Sequence, residues 1–146
     1  MLSHRGALSA ANLKAVGLAI GYYLSKRKLA AVYLQNAGLG NAINPLISIA
    51  SKSVYSIPLF LMIGWRGSPK KSDEPQHLAK GKITQSLLKL LKIDFCILRK
   101  ETDLLKLKKL IKKANQKKQI VACLIEKGTL QDKKKNLENK NRNIIL

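Results

Sequence analysis

Four short apolar runs, Leu29 to Leu34, Ser56 to Gly64, Asp94 to Leu98 and Ile120 to Ile125, recur along the chain with helix-period segments between them. This alternation constrains the fold more than any other feature. Runs of this length, apolar nearly throughout, read as strands, and the first two are expected to be buried on both faces. Parallel strands need crossovers of a dozen or more residues, usually helical. The intervening segments supply them. Ala10 to Ser25 places apolar residues at 13, 16, 20 and 24 and small ones at 15, 17, 19 and 21, the pattern of a helix packed closely on another surface. Asn41 to Ser51 and Lys82 to Leu91 continue the series. Thr102 precedes a helix over Asp103 to Gln116, whose leucines at 104, 107 and 110 oppose lysines at 106, 108, 109, 112 and 113. Gly67 to Gly81, polar and with two prolines, reads as a loop. The expected class is α/β, a three-layer parallel sheet flanked by helices with right-handed crossovers.

The 146 residues suffice for one domain with a sizeable core. The strongly apolar run Val54 to Trp65 contains a proline and falls well short of the roughly 20 residues that span a bilayer, so no transmembrane helix and no membrane partner is expected. Lys14 interrupts the helix after Met1 to Leu8, and no signal peptide is read. Cys96 and Cys123 lie in apolar strand-like segments, where an unpaired cysteine behaves as a small buried hydrophobe. These features fit a cytoplasmic protein.

The formal net charge is +20, from 28 basic and 8 acidic residues. Such a balance raises nucleic acid as a partner. Its distribution argues otherwise: the lysines are scattered through helices and concentrated near the C-terminus, aromatics are 5% of residues, and no reading helix or aromatic platform is present. No specific nucleic-acid function is expected. Lys, Asn and Gln dominate Gln131 to Arg142, a composition too polar to offset the cost of ordering, so residues 131–146 read as an appended tail. Spacings for a transition-metal site, a nucleophile elbow or a phosphate-cradling loop are absent from the sequence.

Gln35-Asn36-Ala37-Gly38-Leu39-Gly40-Asn41 joins the first strand to the second helix. Two glycines and three amide side chains at such a junction let backbone approach a ligand closely, and N–H groups at a helix start favour polar or anionic partners. That is binding chemistry without a nucleophile. The alternative is an ordinary glycine turn.

Six ordered blocks extend the pattern: Gly21-Tyr22-Tyr23-Leu24, Val32 to Leu46, Tyr55-Ser56-Ile57-Pro58, Ile63-Gly64-Trp65-Arg66-Gly67, Asp73-Glu74-Pro75-Gln76-His77 and Lys127-Gly128-Thr129. Through them the chain resembles the pyrimidine-binding half of thiamine-diphosphate decarboxylases, the phosphonopyruvate enzymes first and the sulfopyruvate enzymes next. The resemblance implies a pyrimidine-binding domain over residues 1–130, incomplete at its N-terminus and lacking the family's first strand and helix. It further implies a 2-oxoacid decarboxylase, with phosphonopyruvate converted to phosphonoacetaldehyde and carbon dioxide. Thiamine diphosphate would be shared with a diphosphate-binding partner in a dimer or larger assembly. Magnesium would be held by that partner, since the family's Gly-Asp-Gly motif is absent and no metal ligand is assigned to this chain.

The resemblance also assigns roles. Gln35, Asn36, Gly38, Leu39, Gly40 and Asn41 would lie at the cofactor, Arg66 and Gln76 at the substrate acid, and His77 is a candidate for acid binding or proton transfer, since imidazole titrates near neutrality. Arg66 capping a helix and His77 on a solvated loop are the alternatives. The family's activating glutamate is replaced: Ala11-Asn12-Leu13-Lys14-Ala15-Val16 stands where the family has Asn-Glu-Gly-Asn-Ala-Val, so Asn12 takes its position, and no acidic residue precedes Asp73. A carboxamide hydrogen-bonds but does not accept a proton as carboxylate does. The chain is therefore expected to be inactive alone, as an inactive remnant or a partner-dependent half.

Overall fold

The computed structural model describes residues 4–69 and 71–130. Helix α1 (His4–Lys26) leads to strand β1 (Ala30–Gln35), helix α2 (Asn36–Pro45), strand β2 (Leu59–Trp65), helix α3 (Pro75–Leu90), strand β3 (Asp94–Leu98), helix α4 (Leu104–Lys117) and strand β4 (Val121–Glu126). The strands pair in parallel in the order β1-β2-β4-β3. The α/β class is as expected. The tail from Gln131 onward lies outside the described residues.

Three helices cover one face of the sheet. Val16, Ala19, Ile20 and Tyr23 of α1, Leu39 and Ala42 of α2, and Leu88 of α3 pack on Val32, Leu34, Leu61, Ile63 and Leu124. On the other face, Leu107, Leu110, Ile111 and Ala114 of α4 pack on Phe60, Leu98, Val121, Cys123 and Ile125. β4 runs through the middle and is buried at every position, which is why Ile120 to Ile125 reads as continuously apolar.

β1 departs from expectation. It is an edge strand, and while Val32 and Leu34 are buried, Ala31, Tyr33 and Gln35 are exposed. The apolar residues of its outer face are small or amphipathic, so sequence hydrophobicity overstated its burial.

Three helices start earlier than expected, α1 among them at His4 rather than Ala10. α2 begins at Asn36, five residues before the predicted Asn41, so Gly38 and Gly40 are helical rather than parts of a turn. Leu39, Ala42 and Leu46 already follow a helical period, and tertiary packing overrides the glycine penalty of about 1 kcal/mol each. α3 begins at Pro75 rather than Lys82, with Pro at the first helical position, where its missing N–H costs nothing. The proline and Gly81 had both read as loop residues. α2 closes on Pro45, which cannot donate to the helical ladder, and the chain continues as a π-turn over Leu46–Ala50.

Glycines fix the approach of α3 to the end of β2. A Cβ on Gly81 would overlap the Gly67 carbonyl, and one on Gly67, at φ +66°, would overlap the His77 carbonyl. The Trp65 indole N–H donates to the Gly81 carbonyl at 3.0 Å and locks the contact.

Candidate functional site

The strand register brings Gln35, Gly64 and Ile125 into line, with Trp65 opposite Glu126, so the C-terminal ends of β1, β2 and β4 open on one side. Open α/β sheets collect ligands at that side. A cavity of about 210 Å³ lies there, lined by residues including Tyr33, Gln35, Gly64, Arg66, Glu126 and Lys127. Gly64 makes room for the Tyr33 ring: a Cβ there would stand 3.2 Å from the phenol oxygen.

A larger groove of about 640 Å³ sits at the opposite end of the sheet, walled by Leu46, Ile47, Leu90, Leu91 and Ile93. It has Lys52, Lys92 and Asp94 at its margin, but Asp94 is engaged with Lys113 and Gln119. Convergent polar groups mark the smaller cavity as the candidate site.

Asn36 ties the site together from inside. Its Nδ2 donates to the Arg66 carbonyl at 2.9 Å and to Thr84 Oγ1 at 3.1 Å, and its Oδ1 accepts the Arg66 N–H at 3.2 Å. Thr84 in turn donates to the Lys80 carbonyl at 2.7 Å. The Asn36 amide is thus fully engaged in joining α2, the end of β2 and α3.

Arg66 is clamped on Asp73. Its Nε and Nη2 donate to the two carboxylate oxygens at 2.8 and 2.5 Å, and the Gly67 N–H adds a third bond at 2.9 Å. These bonds, that of Arg66 first, hold the Asp73 carboxyl well below the ordinary carboxylate range. Arg66 lines the cavity with its guanidinium oriented by the chain itself, and its side chain stays one-third exposed.

The remaining predicted residues divide between core, surface and contact. Leu39 is wholly buried beneath α1, whereas Gly40 and Asn41 are exposed. Gln35 faces the cavity. Asn12 packs on Gly38: a Cβ added there would overlap its carboxamide, so α1 and the first turn of α2 meet at these two residues. Gln76 and His77 sit in the first turn of α3 rather than in a loop. The Gln76 amide reaches Glu74 at 3.5 Å, and His77 Nδ1 is buried with no hydrogen-bond partner among the described residues.

Three contributors escaped the sequence reading. Tyr33 was hidden by the expectation that β1 is buried on both faces, whereas it projects from the outer side of the edge strand. Glu126 ends an otherwise apolar strand and is held by Arg99 Nε at 2.7 Å across the sheet, and a single acid closing a buried strand was the available signal. Thr84 carried no signal.

Cys96 and Cys123 face each other across β3 and β4. Cys123 is buried, and burial pushes its thiol up to about 12, while Cys96 is half-buried and also raised. Neither is poised as a nucleophile. Among the described residues no helix is long and apolar enough to cross a membrane.

No protein-family model matches the chain. Ninety residues are 38% identical to a phosphonopyruvate decarboxylase of Streptomyces viridochromogenes, covering 62% of this chain and 22% of that protein. The match to the phosphonopyruvate decarboxylase of Streptomyces hygroscopicus is 36% over 93 residues, 64% of this chain and 22% of the relative. Sulfopyruvate decarboxylase subunit alpha of Methanococcus maripaludis is 38% identical over 80 residues, 55% of this chain and 46% of the subunit. The shared segment spans about a fifth of the Streptomyces proteins and under half of the Methanococcus subunit. Over that segment the chain is related to decarboxylases named for phosphonopyruvate and sulfopyruvate.

Proposed function

We propose that residues 1–130 are the pyrimidine-binding half of a cytoplasmic thiamine-diphosphate-dependent 2-oxoacid decarboxylase, with 131–146 an appended basic tail. Phosphonopyruvate is the favoured substrate and sulfopyruvate the alternative. The observation that carries this reading is the 38% identity over 90 residues with a phosphonopyruvate decarboxylase. It is supported by a parallel sheet whose strand ends bring Gln35, Arg66 and Lys127 around one cavity.

The residues fit part of the cofactor. A cavity of about 210 Å³ is smaller than the roughly 300–1,000 Å³ of a complete small-molecule site, which suits a half-site closed by a second chain. When bound, thiamine diphosphate supplies the electron sink for carbon–carbon cleavage. Gln35 and the exposed Gly40 and Asn41 of α2 would border the ring. Arg66, oriented by Asp73, and Lys127 supply positive charge for a substrate bearing carboxylate and phosphonate. His77, with Nδ1 enclosed, would exchange a proton only through Nε2. Magnesium and the diphosphate belong to the partner subunit.

Asn12 does not fit the activating role. Its carboxamide can orient the ring but cannot hold a transferable proton. This favours a second reading, an inactive remnant or non-catalytic partner that keeps the fold. Mixing the chain with a purified diphosphate-binding subunit, thiamine diphosphate and magnesium, and measuring carbon dioxide from phosphonopyruvate and sulfopyruvate, separates the two. Turnover above the partner alone supports the decarboxylase. Background turnover that rises with Asn12→Glu supports the remnant.

A further inference from the structure

Leu90 and Leu91 close α3, and Leu46 and Ile47 open the π-turn that follows α2. They wall the larger groove, of about 640 Å³, at the end of the sheet away from the candidate site. That volume lies within the range of complete small-molecule sites, roughly 300–1,000 Å³. Its floor belongs to the core: Leu46, Ile93 and Ile120 are almost fully buried. Its sides rise to Ile47, Val54 and Leu90, which are 47, 47 and 77% exposed. None of the lining residues is aromatic. A flat ring therefore finds no stacking partner, whereas a flexible alkyl chain can follow aliphatic walls.

Charge selects the other end of the ligand. The groove is bordered by three charged side chains, Lys52, Lys92 and Asp94. Asp94 is already satisfied, since Lys113 Nζ and Gln119 Nε2 each stand 2.6 Å from its Oδ2. Lys52 and Lys92 have no ion pair among the described residues. A hollow of about 400 Å³ adjoins the groove, sharing Lys92, Ile93 and Asp94 and adding a further lysine, Lys89. The site thus offers apolar contact along its walls and uncommitted ammonium groups at its edge. A cationic head would be repelled there, and a neutral one would leave the lysines unused.

We propose that this groove binds a medium-chain fatty acid, with the alkyl chain on the aliphatic walls and the carboxylate at Lys52 and Lys92. A concave site with few cations suits a single ligand molecule. An anionic bilayer would be drawn instead to the lysines at 108, 109 and 112 on the exposed side of α4. The groove shares no lining residue with the cavity at the other end of the sheet, so this assignment stands independently of the decarboxylase reading.

Calorimetric titration of the full chain with sodium decanoate, kept below its micelle concentration, tests this. One equivalent should bind with a dissociation constant on the order of 100 µM. Butanoate has the same head and little chain, and should bind at least ~30-fold more weakly, because chain burial supplies most of the affinity. Decyltrimethylammonium, with the same chain and the opposite charge, should bind at least ~10-fold more weakly. Lys52→Gln with Lys92→Gln should weaken decanoate at least ~10-fold. Leu90→Glu, at an exposed position, should do the same through the chain, with far-UV circular dichroism unchanged. Lys108→Gln with Lys112→Gln removes equal charge from α4 and should leave decanoate binding intact, which separates the site from general attraction to a +20 chain. No saturable binding of decanoate by wild type overturns the proposal, as does butanoate binding equally well or an α4 variant that weakens as much as the groove variant. Binding of phosphatidylglycerol vesicles through Lys52 and Lys92 without binding of free decanoate also overturns it, in favour of a membrane-docking face.

Discussion

Gly38 and Asn12 are a residue pair whose energetics can be isolated. A methyl at Gly38 meets the Asn12 carboxamide, a movable side-chain end, so Gly38→Ala should destabilise the fold while Asn12 is present and become neutral or stabilising once Asn12 is alanine. A double-mutant cycle by urea unfolding should give a coupling of about 0.5–3 kcal/mol. Gly40→Ala, with nothing within 4 Å, should instead stabilise by about 0.5–1 kcal/mol. If the two glycines respond alike, the Asn12 contact is absent. Asn36 makes the opposite case. Its amide satisfies backbone groups at the end of β2 and the Thr84 hydroxyl, and Asn36→Ala would leave those partners without it, at about 2 kcal/mol. From sequence alone, Gln35 and Asn36 look equivalent. The alternation of the strand puts the first into the cavity and the next into the interior, a distinction that depends on where β1 ends and α2 starts.

At the scale of elements, the strands were legible because β2 and β4 are buried on both faces and therefore apolar at nearly every position. The helix starts were not. Gly38, Pro75 and Gly81 are punctuation marks locally, and only a tertiary neighbour shows that they sit inside or at the head of a helix. The helix ends carry a further surprise. Arg27, Lys92 and Lys118, which follow α1, α3 and α4, adopt left-handed backbone at φ 56, 53 and 47°. Glycine normally takes this position. Arg27 and Lys118 both stand 5.8 Å from the Tyr23 ring, an attraction that partly offsets the backbone cost. Lys92 has no such ring contact among the described residues. Lys92→Gly should therefore raise stability by about 1 kcal/mol, and Arg27→Gly by less, because it also loses the ring contact. Thermal unfolding of the two variants checks the order.

The segment between β2 and α3 depends on one ionised carboxylate. Asp73 binds Arg66 and the Gly67 N–H, and its depressed value means that the folded state prefers the charged form. Its contribution is present above the unfolded value of 3.8 and is lost as pH falls below it toward the folded value. Asp73→Asn should be less stable than wild type at neutral pH, and the gap should narrow as the solution is acidified below about pH 4. A constant gap from pH 7 to 3 would show that the ion pair is not what Asp73 contributes.

For the whole molecule, the +20 charge is unevenly placed: the first 65 residues hold no Asp or Glu, and every acidic residue lies from Asp73 onward. Of the six described acids, Asp73, Asp94, Asp103 and Glu126 are paired with cations. Most lysines therefore face one another across solvent, and compaction brings them closer. Self-repulsion of this kind destabilises the folded state and is screened by salt. Raising sodium chloride from about 20 to 300 mM should increase stability by about 1 kcal/mol, or ~3–5 °C in the unfolding midpoint. Surface ion pairs pull the other way, since salt weakens them, but exposed pairs contribute little. The sign of the response decides between the two terms. A midpoint that falls with salt would mean that the four ion pairs outweigh the repulsion. A midpoint that rises steeply only with polyvalent anions, at concentrations far below those needed for screening, would reveal a bound polyanion instead.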